Sequence, residues 1–229
     1  MKKRMLRAIF NKFTLRASAA VTAVTSAGVS NGGTLFSDAA ALQGLDLATF
    51  PDYPAEIRAP HNTIAGVSGF QVHVGRKKID TSGDFVDILV AMNPASLKSN
   101  LKWTRPGATI IVDADAFDEA ACKKAGYETS PLEDDSLNGH NLVKAPVTML
   151  TRNALQPLGI DNKNADRTRN VFTLGIIYHI FGWSLDSTVN YFKIKFKKKP
   201  EMTEANKLVL ETGYSYADTV ETLASSYHI

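Results

Sequence analysis

The sequence predicts an α/β fold with a mostly parallel sheet flanked by helices, followed by a helical C-terminal part. Two continuous apolar runs, residues 85–92 and 108–112, are typical of strands that are buried on both faces of a sheet. Strand and helix patterns alternate up to residue 145, and only helical patterns follow Pro146. A chain of 229 residues with 44% apolar and 21% charged residues is long enough to bury a sizeable core.

Local signals place the elements in order along the chain. Strands are predicted at residues 19–25, 46–50, 64–74, 85–92, 108–112 and 141–145, and helices between them at residues 35–42, 94–101 and 115–125. Thr34 is a candidate N-cap, and Gly44 and Gly126 are candidate helix ends. Gly66 and Gly69 predict a bulge or a bend in the third strand. Strands joined by helices in this order predict a Rossmann-like sheet.

The C-terminal part shows helical periodicity. Two helices are predicted from apolar faces, which consist of Val171, Leu174, Tyr178 and Phe181 in the first helix and of Leu185, Val189, Phe192 and Phe196 in the second. Pro200 separates the second helix from a third at Glu201–Ala217. We interpret residues 19–217 as one domain, preceded by an extension at residues 1–18 and followed by a tail at residues 218–229.

The N-terminal extension is basic. Residues 1–37 contain no acidic side chain, and their cations are Lys2, Lys3, Arg4, Arg7, Lys12 and Arg16. This composition fits a plain extension or an organellar transit peptide, so we expect a cytoplasmic protein, or an organellar one if the segment is a transit peptide. No apolar run is long enough to predict a membrane helix, and a net charge of +3 does not indicate nucleic-acid binding.

A proline-rich loop is the strongest candidate for a binding site. Prolines at positions 51, 54 and 60 fix φ and predict a stiff loop at a strand end, where α/β proteins place ligand-binding groups. The loop carries Tyr53, Glu56, Arg58, His61 and Asn62. The Arg58 guanidinium is able to bind a carboxylate or a phosphate with two hydrogen bonds. Alternatively, Arg58 pairs with Glu56 or Asp52 and only holds the loop.

Other candidates follow predicted strands or precede a helix. Asn93 is either a ligand-binding residue at the carboxyl end of a strand or a helix cap. Asp113 and Asp115 form a carboxylate pair suited to a cation or to acid–base chemistry, with capping of the following helix as the favoured alternative. A turn ahead of the first helix is a candidate phosphate site, although its spacing fits neither the dinucleotide nor the P-loop motif. Its glycines are Gly28, Gly32 and Gly33.

Several chemistries are excluded or disfavoured. A single cysteine, Cys122, excludes a disulfide framework and a four-cysteine zinc or iron–sulfur site in this chain. The five histidines never show metal-ligand spacing, so no metal site is predicted. Lysines at positions 193, 195, 197, 198 and 199 suit the end of a helix, with docking of an acidic partner or nucleic acid as the alternative. The chain contains neither a thiamine-diphosphate motif nor a ferredoxin-type run of cysteines.

Four ordered segments carry a family resemblance. They are Phe36–Gly44, Phe50–Asn62, Asp84–Pro94 and Arg105–Asp113. From Leu35 to Ala217 the chain resembles the γ domain of 2-oxoacid:ferredoxin oxidoreductases, in the type that fuses this domain ahead of a thiamine-pyrimidine domain. The glycine turn departs from the family pattern, because it is shorter than usual and lacks an acidic residue.

The resemblance implies a role in a multi-subunit enzyme that converts a 2-oxoacid and coenzyme A into acyl-CoA and carbon dioxide, with two electrons passed to ferredoxin. It implies that thiamine diphosphate, Mg²⁺ and iron–sulfur clusters lie on partner chains, chiefly thiamine-binding α/β subunits. This chain would carry no catalytic residue and would be inactive alone. The proline loop and Asn93 would wall the active site and help to bind coenzyme A, with 2-oxoglutarate favoured over pyruvate. The alternative is a non-catalytic or decayed α/β binding or assembly module.

Overall fold

The computed structural model describes residues 18–25, 29–52 and 67–220. Within these residues, strands β1 to β6 cover Ser18–Thr25, Asp46–Asp52, Ser68–Gly75, Val86–Ala91, Thr104–Asp113 and Asn141–Ala145. Helices α1 to α8 cover Val29–Leu42, Pro94–Asn100, Glu119–Lys124, Val147–Leu155, Asn162–Asp166, Arg169–Phe181, Asp186–Lys195 and Pro200–Thr219. Short 3₁₀ helices cover Leu101–Trp103, Ala114–Ala116, Asp135–Leu137 and Gln156–Leu158.

The strands form one sheet in the order β2-β3-β1-β4-β5-β6. Strand β1 pairs in parallel with β4, β4 with β5, and β5 with β6. Strand β3 runs antiparallel to both of its neighbours, β1 and β2. The predicted mostly parallel sheet is therefore confirmed, since five of the six described strands point the same way.

Helices cover both faces of the sheet, as expected for strands that are apolar on both sides. All six residues of β4 and the last six of β5 are buried. On one face, α1 and the C-terminal helices pack on side chains such as Val72, Ile88 and Ile111. On the other face, α2, α3 and the residues around Leu137 pack on side chains such as Leu89. The result is a three-layer α/β/α arrangement.

Helix α6 forms the centre of the C-terminal part. The predicted apolar face of Val171, Leu174, Tyr178 and Phe181 is buried, but so is nearly every other residue of this helix. A helix that is apolar all round is one that other elements surround, and α6 contacts α1, α4 and α8. The prediction of helices beyond Pro146 is confirmed, and more of the surface of α6 is buried than one apolar face requires.

Three local predictions are wrong. Thr34 is not an N-cap, because α1 begins at Val29 and continues through the predicted turn. The predicted bulge is absent at Gly69, since β3 keeps its register with β1 and β2 on both sides of this residue, while Gly66 lies outside the described residues. The helix predicted from Asp115 begins only at Glu119, because Asp118 caps it by accepting a hydrogen bond from the backbone of Ala121.

Candidate functional site

The carboxyl ends of the parallel strands meet at one edge of the sheet. The pairing register places six residues in a row across the sheet near this edge: Asp52, Gly69, Val24, Ala91, Val112 and Lys144. Strands β1 and β4 are neighbours in this row, and the chain leaves them in opposite directions, towards β2 and towards β5. Such a switch point at the carboxyl ends is where open α/β sheets form a binding crevice.

The predicted proline loop joins β2 to β3 at this same edge. Its two ends, Asp52 and Val67, are described by the structure, and Asp52 pairs with Gly69 in the row above. The candidate residues Tyr53, Glu56, Arg58, His61 and Asn62 lie outside the described residues, as does Gly28. The register therefore fixes the edge from which the loop leaves the sheet, and the contacts of its side chains remain a prediction.

Asn93 follows β4 at the switch point and caps α2. Its Oδ1 accepts a hydrogen bond of 2.8 Å from the backbone N–H of Ser96. Pro94 occupies the first position of the helix, where a missing N–H costs nothing. Within the described residues, Nδ2 of Asn93 makes no hydrogen bond, and the side chain is half-buried. The cap that the sequence predicts is present, and the amide group remains available for a ligand.

Gly32 and Gly33 lie inside the first turns of α1 and not in a turn ahead of it. Gly33 is buried against Phe70 of β3, and a Cβ atom added to it would lie 2.2 Å from the ring. Its carbonyl accepts a hydrogen bond of 2.9 Å from Ser37 Oγ. The glycine at this position is explained by close packing of α1 on the sheet, so the turn predicted here is wrong, while the candidate phosphate site stays a prediction.

Asp113 is a fully buried carboxyl group at this edge. It ends β5 and accepts two hydrogen bonds from Thr148. The backbone N–H of Thr148 donates to Oδ1 of Asp113 at 3.2 Å, and Oγ1 of Thr148 donates to Oδ2 at 2.5 Å. Arg169 Nη1 lies 3.5 Å from Oδ2 of Asp113. Burial raises the pKa of Asp113 above its ordinary value, and the Thr148 hydrogen bonds and Arg169 offset only part of that effect.

Asp115 completes the cap of α4. Its Oδ2 accepts a hydrogen bond of 2.6 Å from the backbone N–H of Met149. Pro146, at the N-cap position of α4, has no side chain that is able to cap the helix. The carboxylate pair thus caps a helix, as the favoured prediction states, but the helix is α4 and not the following helix, α3. Both carboxyl groups accept hydrogen bonds from the start of α4, and a role of the pair in cation binding or acid–base chemistry stays a prediction.

Two arginines stand beside these carboxylates and line a cleft of about 790 Å³. Arg152 makes a two-point ion pair with Asp166, with both nitrogen–oxygen distances at 2.8 Å. The Arg152 hydrogen bonds hold the pKa of Asp166 below its ordinary value. Arg169 Nη1 donates to Thr148 Oγ1 at 2.9 Å, and its Nε donates to the carbonyl of Asp166 at 3.1 Å. The network fixes α4, α5 and α6 against the end of β5.

The sequence predicts only part of this network. Asp113 and Asp115 stand out because they follow a buried strand, but Arg152, Asp166 and Arg169 belong to three separate helices. No fixed spacing joins a strand end to residues that lie 39 to 56 positions later, so no motif predicts the network. The only local signal is Pro146, whose inability to cap α4 implies a cap from elsewhere.

None of the described helices is long and apolar enough to cross a membrane.

Comparison with known proteins gives one consistent family. The profile of the family described as pyruvate ferredoxin/flavodoxin oxidoreductase matches residues 18–216. A curated relative, the 2-oxoglutarate oxidoreductase subunit KorA of Mycobacterium tuberculosis, is 42% identical over 197 residues. That alignment covers 86% of this chain and 30% of the relative.

Solved structures share the fold. One is a 2-oxoglutarate:ferredoxin oxidoreductase from Magnetococcus marinus with 2-oxoglutarate, coenzyme A and succinyl-CoA bound. Its match covers 93% of this chain and 33% of the Magnetococcus chain, at 22% sequence identity and a TM-score of 0.71. The γ subunit of a keto/oxoacid ferredoxin oxidoreductase from Geobacter sulfurreducens matches 88% of this chain and 96% of its own, at 15% identity and a TM-score of 0.59. Subunit PORC of the Thermotoga maritima pyruvate oxidoreductase is 18% identical, with a TM-score of 0.56. Its match covers 87% of this chain and 97% of the PORC chain. This chain thus spans about a third of the Mycobacterium and Magnetococcus chains and nearly the whole of the other two.

Proposed function

This chain belongs to the pyruvate ferredoxin/flavodoxin oxidoreductase family, and on that premise we propose that it is the γ domain of a 2-oxoacid:ferredoxin oxidoreductase. The observation that carries the proposal is the family match, which extends over residues 18–216. The proposed reaction converts a 2-oxoacid and coenzyme A into acyl-CoA and carbon dioxide and delivers two electrons to ferredoxin. The Mycobacterium relative, a 2-oxoglutarate oxidoreductase subunit, favours 2-oxoglutarate as the substrate.

The chemistry of this reaction belongs to partner chains. Thiamine diphosphate with Mg²⁺ supplies the decarboxylation, and iron–sulfur clusters carry the electrons. This chain has one cysteine, no thiamine-diphosphate motif and, among its described residues, no metal-binding cluster. Its role is to bind coenzyme A and to assemble with the thiamine-binding subunits, and by itself it is inactive.

The carboxyl edge of the sheet is the part of this chain that suits coenzyme A. The proline loop leaves β2 at this edge, and Asn93 lies at the switch point between β1 and β4. Coenzyme A carries phosphates, which a guanidinium binds through paired hydrogen bonds. We assign that contact to Arg58, with Tyr53, Glu56, His61, Asn62 and Asn93 completing the wall.

Replacement of Arg58 tests the assignment of the coenzyme A contact. In the assembled enzyme, Arg58→Ala is expected to raise KM for coenzyme A roughly tenfold, because a hydrogen bond to a charged group is lost, and to change kcat less. Arg76→Ala is the matched control, since Arg76 is exposed and follows β3 at the opposite edge of the sheet. An unchanged rate of acyl-CoA formation together with an unchanged KM for coenzyme A would remove Arg58 from the site.

Affinity capture tests the proposed assembly. The chain, captured from its native extract, is expected to bring thiamine-binding and iron–sulfur chains that mass spectrometry identifies. Recovery of the chain alone, at both low and moderate salt, would favour a non-catalytic α/β module over a working enzyme subunit.

A further inference from the structure

The last turn of α7 and the turn after it form a strongly basic surface, which we call the lysine patch. It consists of Lys193, Lys195, Lys197, Lys198 and Lys199. All five side chains are exposed, and none forms an ion pair within the part of the chain that the structure describes. The acidic residues that follow, Glu201 and Glu204, make no ion pair with them among the described residues.

The ordinary structural reason for lysines at a helix end accounts for only part of the lysine patch. Lys193 and Lys195 lie in the last turn of α7, where the helix dipole stabilises cations. The other three follow the helix in a turn closed by the hydrogen bond from Lys199 N to Phe196 O at 2.7 Å. Five positive charges within seven residues are therefore left without an ion pair in the part of the chain that the structure describes, and an acidic partner would supply the opposite charges.

The lysine patch also includes one exposed apolar side chain. Ile194 is 78% exposed, more than any other large apolar side chain that the structure describes. Beside it, the Lys195 ammonium lies 5.2 Å from the centre of the Tyr191 ring and 5.8 Å from that of Phe196. Ile194 lies between Lys193 and Lys195 in the sequence of α7, so the patch combines exposed cations with one exposed apolar side chain, as protein–protein contacts do. The two ring contacts favour one position of the Lys195 side chain.

We propose that the lysine patch is a docking surface for an acidic protein surface, whose carboxylates surround an apolar recess that receives Ile194. Charge complementarity identifies the partner as an anion. The exposed Ile194 favours a protein surface over a nucleic acid, whose phosphate backbone offers no apolar recess. One exposed apolar side chain is too little to anchor a helix in a membrane surface. This proposal does not depend on the function proposed above.

A labelled peptide is the probe that tests the lysine patch. The peptide is a glutamate-rich amphipathic helix with one leucine face, and a copy with glutamine in place of glutamate is its neutral control. Fluorescence anisotropy measures its binding to the full chain at low and near-physiological salt. The wild type is expected to bind the acidic peptide and not the neutral one, with an affinity that falls as salt rises.

Two sets of substitutions distinguish binding at the lysine patch from an effect of the net charge of the whole chain. Reversal of three patch lysines, by Lys193→Glu, Lys195→Glu and Lys198→Glu, is expected to weaken binding roughly tenfold or more. The control set makes the same change in net charge at three exposed lysines elsewhere, by Lys77→Glu, Lys124→Glu and Lys163→Glu, and is expected to weaken binding about twofold or less. Ile194→Ser is expected to weaken binding without changing its dependence on salt. Equal losses in the two lysine sets, or no effect of Ile194→Ser, would overturn the proposal.

Two further measurements keep the test decisive. Tighter binding to a short DNA duplex or to phosphatidylserine vesicles than to the acidic peptide would also overturn the proposal. If the charge-reversed chain does not fold, the milder set Lys197→Gln, Lys198→Gln and Lys199→Gln takes its place. Because these three lysines repel one another and follow the helix, the set is expected to leave the thermal midpoint unchanged or to raise it while binding falls. A lower midpoint with unchanged binding would give the lysines a structural role instead.

Discussion

At the scale of single residues, Asp113 shows how one carboxylate serves both the fold and the edge that we propose as the site. It is fully buried, yet both of its oxygens accept hydrogen bonds from Thr148, and Arg169 lies nearby. Burial nevertheless raises its pKa. In the folded chain Asp113 therefore holds its proton at pH values where the unfolded chain, with an ordinary pKa of 3.8, has lost it.

A pH series with Asp113→Asn tests this electrostatic balance. Because the folded-state pKa is raised, the wild type loses stability as pH rises from 3.8 through that pKa. Asparagine has a similar shape but does not titrate, so the free energy of unfolding of Asp113→Asn, relative to the wild type, is expected to increase over that window. Chemical denaturation at several pH values measures it.

Asp166 provides a control, because its pKa is shifted in the opposite direction from that of Asp113. Arg152 lowers its folded-state pKa, so the stability that Asp166 contributes is present above its unfolded pKa and is lost as pH falls through the folded value. The relative free energy of unfolding of Asp166→Asn is thus expected to decrease as pH rises. The same slope for both variants would contradict the two assignments.

At the scale of elements, two glycines set the packing of α6 on α8. A Cβ atom on Gly213 would lie 2.0 Å from the carbonyl oxygen of Phe172, and one on Gly175 would lie 2.3 Å from that of Leu210. In both cases the obstacle is backbone, which cannot turn aside as a side chain can. The two helices therefore pack this closely only because both positions lack a side chain.

Substitution of Gly213 by alanine is expected to lower the free energy of unfolding by about 2 kcal/mol or more, because overpacking outweighs the gain in helix propensity. Ser215→Ala is the matched control on the same helix, since Ser215 is exposed and alanine favours a helix. It is expected to be neutral or slightly stabilising. Chemical denaturation of the three proteins measures the difference, and equal stabilities would contradict the close contact.

The order and type of the elements up to residue 145 were predictable from the sequence, because buried strands and apolar helices carry strong local patterns, but α4 and α5 were not predicted as separate helices. The strand at Asn141–Ala145 is confirmed with its bounds unchanged. The start of α1 was not predictable, because Gly32 and Gly33 resemble a turn, and only the ring of Phe70 explains why a glycine stands in the helix. The network around Arg152 and Arg169 also required the fold, since it joins groups that are distant in sequence.

At the scale of the whole molecule, the chain has a three-layer fold but contains neither a thiamine-diphosphate motif nor the cysteines of an iron–sulfur site. Its sheet brings the end of β2, which leads into the proline loop, and the caps of α2 and α4 to one edge. The curated relative that it matches is about three times as long, with only 30% of that protein aligned. In the proposed reaction, the thiamine diphosphate and the iron–sulfur clusters are bound outside this domain.

The most direct test is an activity assay of the purified chain, alone and assembled with the thiamine-binding and iron–sulfur chains. The assay follows the reduction of ferredoxin in the presence of 2-oxoglutarate and coenzyme A, and pyruvate replaces 2-oxoglutarate in a parallel series. We predict no turnover by the chain alone, turnover that depends on coenzyme A in the full assembly, and its loss when this chain is omitted. Turnover that is unchanged without this chain would contradict the assignment of a γ domain that binds coenzyme A.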